Sequence, residues 1–156
     1  MGQIWKINIP GSPDAVVETG VQSYHFFSPQ MMLGEVPREQ YGSVVLDFQE
    51  TESFFNFLDF TTHDIAEVME IDPSTLFRWK KEDRKLSKAL TKNLLEIDQI
   101  IAKGVRIFGT EELLAQWLQT PNHTFNGQKP ATLLKNPYQI KLVDQALEAM
   151  SWGNFV

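Results

Sequence analysis

Seven basic residues crowd the span 78–92: Arg78, Lys80, Lys81, Arg84, Lys85, Lys88 and Lys92 stand against only Glu82 and Asp83, a local charge of +5. A cationic cluster of this density can hold phosphate oxygens, and an arginine within it can read guanine through a bidentate contact. The cluster is conspicuous because the 156-residue chain as a whole carries a net charge of -6 at pH 7. Residues 1–60 hold two basic residues against eight acidic, whereas 61–103 balance eight against eight and 104–156 four against four. All the excess acid is therefore N-terminal, and one short stretch is left able to face a polyanion. The plainer reading of any single lysine here is a solvated helix face.

No other constellation supplies chemistry. The chain has no cysteine, which removes disulfides, thiolate metal sites and cysteine nucleophiles and makes a reducing cytoplasm the natural setting. His25, His63 and His123 lie far apart, with no carboxylate or second histidine at metal-ligand spacing. There is no glycine-rich phosphate loop and no nucleophile elbow, and the carboxylates concentrate where helix first turns and solvation explain them. The chain reads as a non-enzyme without metal or cofactor. The N-terminus lacks the basic start and apolar run of a signal peptide, and no stretch approaches 18 apolar residues, so neither secretion nor a membrane partner is expected. At 42% hydrophobic and 22% charged residues the composition is that of a folded globular protein, of a length that buries roughly two thirds of its unfolded surface.

The elements that would position the basic cluster are helical. Thr62 reads as a cap with Asp64 in the first turn, followed by Ile65, Ala66, Val68 and Met69 on a helical period. Asp72-Pro73 starts a second short helix through Trp79, with Leu76 and Trp79 on one face. Ser87 caps a longer helix whose Leu90, Leu94, Ile97 and Ile101 recur at i, i+4, i+7 and i+11. Gly104 and Gly109 punctuate the next segment; Thr110 with Glu111 and Glu112 then opens a helix carrying Leu113, Leu114, Trp117 and Leu118, stopped by Pro121. The segment 121–127 reads as loop. Asn136-Pro137 repeats the cap-plus-proline start, and Ile140, Val143, Leu147 and Met150 mark the buried stripe of a last helix that ends before Gly153.

The N-terminal third is less regular. Alternation at Trp5, Ile7 and Ile9 suggests a strand, Pro10-Gly11-Ser12-Pro13 a turn, and Ser28-Pro29 with Met31, Met32, Leu33 and Gly34 a short helix. Phe48, Phe54, Phe55, Phe57 and Phe60 are expected to be core, because burying each ring is worth roughly 2–3 kcal/mol.

From Thr62 to Lys81 the spacing is that of a helix-turn-helix. Ala66 is small where the second helix crosses, and Ile65, Met69, Ile71, Leu76 and Trp79 supply the apolar lock. The turn position four after Ala66 favours glycine for a positive φ; Glu70 stands there, at about 1 kcal/mol if that conformation is kept. If the unit binds DNA, Ser74, Thr75, Phe77, Arg78, Lys80 and Lys81 face the groove and Arg84, Lys85 and Lys88 hold phosphates. A single unit gives a small interface, so a dimer on two half-sites is expected. Such a unit can also serve only for packing or dimerisation.

The last 50 residues carry the more specific pattern: Arg106-Ile107-Phe108-Gly109, Trp117-Leu118, Pro121-Asn122, Phe125-Asn126-Gly127, Pro130 with Leu133-Leu134, and Trp152-Gly153. This order and spacing resembles the toxin-binding domain of the Xre/MbcA/ParS antitoxins, and the preceding helix-turn-helix sits where that family places its Xre-like unit. The resemblance covers residues 60–156 and implies an all-α fold: an Xre-like helix-turn-helix domain over 60–103, a small helical toxin-binding domain over 104–156, and a mixed, partly irregular N-terminal extension over 1–59 that could dimerise. It further implies an antitoxin, a homodimer within a larger complex, that blocks the active-site cleft of a cognate RES-domain toxin acting on NAD and represses its own operon by binding operator DNA. Carried over residue by residue, Trp152, Gly153, Asn154 and Phe155 are the expected plug. The residues themselves allow a plainer part, with Trp117, Leu118, Leu133 and Val143 as core, Gly127 permitting a positive φ, and Pro121 and Pro130 shaping a loop. A stand-alone helix-turn-helix transcriptional regulator is the alternative.

Overall fold

The computed structural model describes residues 3–6, 16–19 and 45–153. Two strands, β1 (Gln3–Lys6) and β2 (Val16–Thr19), pair antiparallel with Trp5 opposite Val17. The strand expected from Trp5 is thus present; Ile7, Ile9, the turn at 10–13 and the short helix after Pro29 lie outside the described residues.

Residues 45–153 form helices and short connections. A 3-10 turn, Phe48–Thr51, leads into α1 (Glu52–Phe57). Phe48, Phe54 and Phe55 are buried, while Phe57 and Phe60 pack against the core from its edge. Next comes α2 (Thr62–Met69), capped by Thr61 rather than Thr62. The Thr61 hydroxyl accepts from the Asp64 N–H at 3.2 Å and the Asp64 carboxylate accepts from the Thr61 N–H at 2.9 Å, so each satisfies an otherwise orphaned helix-end donor. Glu70 ends α2 at φ 56°, ψ 41°, the left-handed conformation that its place in the turn demands. Three residues on, α3 (Pro73–Glu82) begins with Pro73 as its first residue and Asp72 as its cap.

The spine is α4 (Lys88–Phe108), 21 residues capped by Ser87. Its Leu94, Ile97, Ile101 and Val105 are buried against α5 (Glu111–Gln119) and α7 (Ile140–Ser151), and α6 (Pro130–Leu134) fills the gap between those two. One continuous apolar cluster runs from Leu46 through Ala66 and Leu76 to Leu147. Leu118, Leu133 and Val143 are fully inside, and Trp117 packs between the rings of Phe108 and Phe125, 5.7 and 6.4 Å away.

Three elements depart from the sequence reading. Gly104 does not punctuate: it lies inside α4, where a Cβ would stand 2.5 Å from Leu114 Cδ1, so glycine is what lets α5 approach. Pro130 opens a helix instead of bending a loop. Asn136-Pro137 does not start the final helix. The Asn136 side chain accepts from the Tyr138 N–H at 2.9 Å in a turn, and α7 begins at Ile140.

Candidate functional site

Two surfaces project from this frame. The first is built on α3. Asp72 accepts hydrogen bonds from the Ser74 hydroxyl and from the Thr75 N–H, the latter at 2.8 Å. These donors, the Ser74 hydroxyl first, hold the Asp72 carboxyl down at about 2. Ser74 and Thr75 therefore serve the helix cap, whatever else they touch. On a helix, positions 74, 77, 78 and 81 share one face. Phe77 is 61% exposed there, with Lys81 Nζ 4.5 Å above its ring. Arg78, Lys80 and Lys81 are all exposed.

Arg84 and Lys85 sit on the connection to α4, which is held rather than loose, and Lys88 and Lys92 lie in the first turns of that helix. Phe48 N–H donates to Arg84 O at 2.9 Å and Leu86 N–H to Leu46 O at 2.9 Å, pinning residues 84–86 against the strand-like segment 46–48. Arg84 lies over the Trp79 ring at 5.1 Å, and Lys85 and Lys88 are exposed beside it. Among the described residues none of these seven basic side chains forms an ion pair. Unpaired cations held on one rigid edge are suited to bridging phosphates.

The second surface is the outer side of α7. Trp152 is 79% exposed at the end of that helix, and Gly153 takes φ +86°; Asn154 and Phe155 lie outside the described residues. Sequence reasoning missed Tyr138, 93% exposed, and Leu142, 45% exposed. The signal was available: Leu142 falls off the Ile140, Val143 and Leu147 stripe, at least 100° around the helix from each of them. Two lysines fix this helix and its surroundings. Lys103 on α4 donates to Asp144 at 2.6 Å and Glu148 at 3.0 Å, which raises the Lys103 ammonium and lowers the Glu148 carboxyl. Lys135, at the end of α6, reaches Asp64 at 3.0 Å and Glu67 at 3.1 Å on α2.

His63 and His123 are exposed, and no group of three acidic or histidine side chains that could hold a metal occurs among the described residues. No helix among them is long and apolar enough to cross a membrane.

Residues 103–153 match the family model of the antitoxin Xre/MbcA/ParS C-terminal toxin-binding domain. No curated protein matches the chain. Among solved structures the chain is similar to a chain from the M.tuberculosis MbcT-MbcA toxin-antitoxin complex, at 19% identity over 71% of this chain and 100% of that one, with a TM-score of 0.45.

Proposed function

We propose that this chain, whose residues 103–153 match the Xre/MbcA/ParS family of toxin-binding domains, is the antitoxin of a toxin–antitoxin pair and neutralises a cognate RES-domain toxin that consumes NAD. The family match carries the reading. The chain is the inhibitor and the toxin the enzyme: the exposed end of α7, with Trp152, Gly153 and then Asn154 and Phe155, covers the toxin's active-site cleft. An exposed aromatic at the end of a firmly held helix suits this task, because such anchors dominate interface energies.

The basic edge formed by α3 and the residue 84–88 connection supports a second activity, repression of the pair's own operon by a homodimer on operator DNA. Residues 60–103 then present the DNA surface and residues 104–156 the toxin surface of a cytoplasmic complex. These are two surfaces of one body, since α4 runs without a break through the division between them.

The deciding experiment is co-expression with the protein encoded in the adjacent reading frame. A stable complex, together with recovery of the cellular NAD that falls when the neighbour is expressed alone, is expected. No complex and no effect on NAD would favour a stand-alone transcriptional regulator, for which the exposed basic edge is the supporting observation.

A further inference from the structure

We infer that a cleft between the turn at residues 122–128 and the outer side of α7 receives a short, uncharged, apolar segment of the toxin; this rests on the antitoxin reading and extends it to particular residues. The cleft encloses about 370 Å³, at the small end of the roughly 300–1,000 Å³ typical of ligand-burying sites. It therefore takes a few side chains and not a whole domain edge.

Its lining sets the chemistry of the occupant. Phe125, Leu133, Ala146 and Ala149 make an apolar floor, and Leu142 stands at its side, 45% exposed. Thr124, Asn126, Gln128, Gln139 and Gln145 complete the rim. No aspartate, glutamate, lysine or arginine lines it, so a charged group entering would lose its hydration without a counter-ion. Carboxamides both donate and accept, and so can satisfy the N–H and C=O groups of an extended partner backbone while the floor takes its apolar side chains.

Position favours the toxin as the source of that segment. Every lining residue falls within 103–153, the stretch that matches the toxin-binding domain. Leu142, Gln145, Ala149 and Trp152 succeed one another at intervals of 3, 4 and 3 residues, so the cleft and the exposed Trp152 form one continuous stripe along α7. Three of the six large, exposed apolar side chains among the described residues, Tyr138, Leu142 and Trp152, lie on this helix or its lead-in.

The test measures the affinity of the full chain for the protein encoded in the adjacent reading frame. Leu142→Glu is expected to weaken binding by about 30-fold or more, whereas Leu113→Glu, a matched change at a 48% exposed leucine on α5 outside the cleft, is expected to stay within about threefold. Coincident thermal melting of the free chains shows that the fold is intact; should Leu142→Glu melt lower, Leu142→Ser applies the same test by removing the anchor alone. A complex of wild-type strength with both Leu142 variants, or equal losses at Leu113, overturns the cleft and leaves the antitoxin reading standing. A free wild-type dimer that Leu142→Glu splits in sedimentation assigns the face to a second copy and overturns it too. If the wild-type chain does not bind the neighbour, the antitoxin reading fails and the cleft with it.

Discussion

Glu70 and Gly104 are opposite solutions to the demands that packing makes on single residues. Glu70 holds a left-handed backbone, φ 56°, that costs an L residue roughly 1–2 kcal/mol. Glu70→Gly removes that strain but adds unfolded-state entropy, so urea denaturation is expected to show a net gain of about 0.5–1 kcal/mol. Gly104 is the reverse case. A methyl there meets Leu114 Cδ1 at 2.5 Å and Cδ2 at 2.9 Å, and Leu114 is fully buried, so it cannot swing into solvent. The better helix propensity of alanine offsets part of the resulting overpacking. Gly104→Ala is therefore expected to lose about 1–2 kcal/mol in the same assay.

Among the elements, α3 depends most visibly on its cap. Asp72 is ionised down to about 2 in the folded chain, below its ordinary 3.8, because the Ser74 hydroxyl and the Thr75 N–H bond its charged form. A carboxyl lowered by folding stabilises the fold above its unfolded pKa, and that contribution is lost as pH falls from about 4 to about 2. Asp72→Asn keeps a capping oxygen without the titration, so its melting temperature is expected to fall less steeply across that range than the parent's. The outer side of the same helix supplies a separate prediction. Arg78→Ala with Lys81→Ala is expected to weaken operator binding by about 1–3 kcal/mol through the arginine and to shrink the salt slope by about 1 through the lysine. Neutralisation of the toxin is expected to be unchanged, and truncation before Ser151 to do the reverse; damage to both activities by either change would refute the division into two surfaces.

Across the molecule, long-range polar ties join the α1–α3 half to the C-terminal half over one core. Gln119 Nε2 donates to Leu58 O at 2.7 Å, and Lys135 joins Asp64 and Glu67. Burial pushes Asp64 up and Lys135 down, but the hydrogen bonds outweigh it: Asp64 ends below its ordinary value, through Thr61 and Lys135, and Lys135 above its own, through the two carboxylates. The Asp64 contribution is present above its unfolded pKa and fades in acid; the Lys135 contribution is present below 10.5 and fades as alkali removes its proton. Lys135→Met is expected to cost about 1 kcal/mol near neutrality, since the cluster is only partly buried, and to remove the alkaline loss in a melting series.

Residue order alone was enough to locate the long helices, because an apolar stripe of three or more turns has one way to be buried. Leu94, Ile97 and Ile101 marked α4, and Leu114 and Leu118 with the Thr110 cap marked α5. The same holds for the charge of residues 78–92 and the motifs of the C-terminal third, which are matters of residue type and order. The helices α1 and α6 escaped notice because six and five residues are too few to show a period. Where Gly104 would sit, and that Asn126 and Gln128 would share a cleft with Gln145, came from long-range packing alone. Each depends on residues distant in the chain meeting at a few ångströms, and no local pattern encodes that distance.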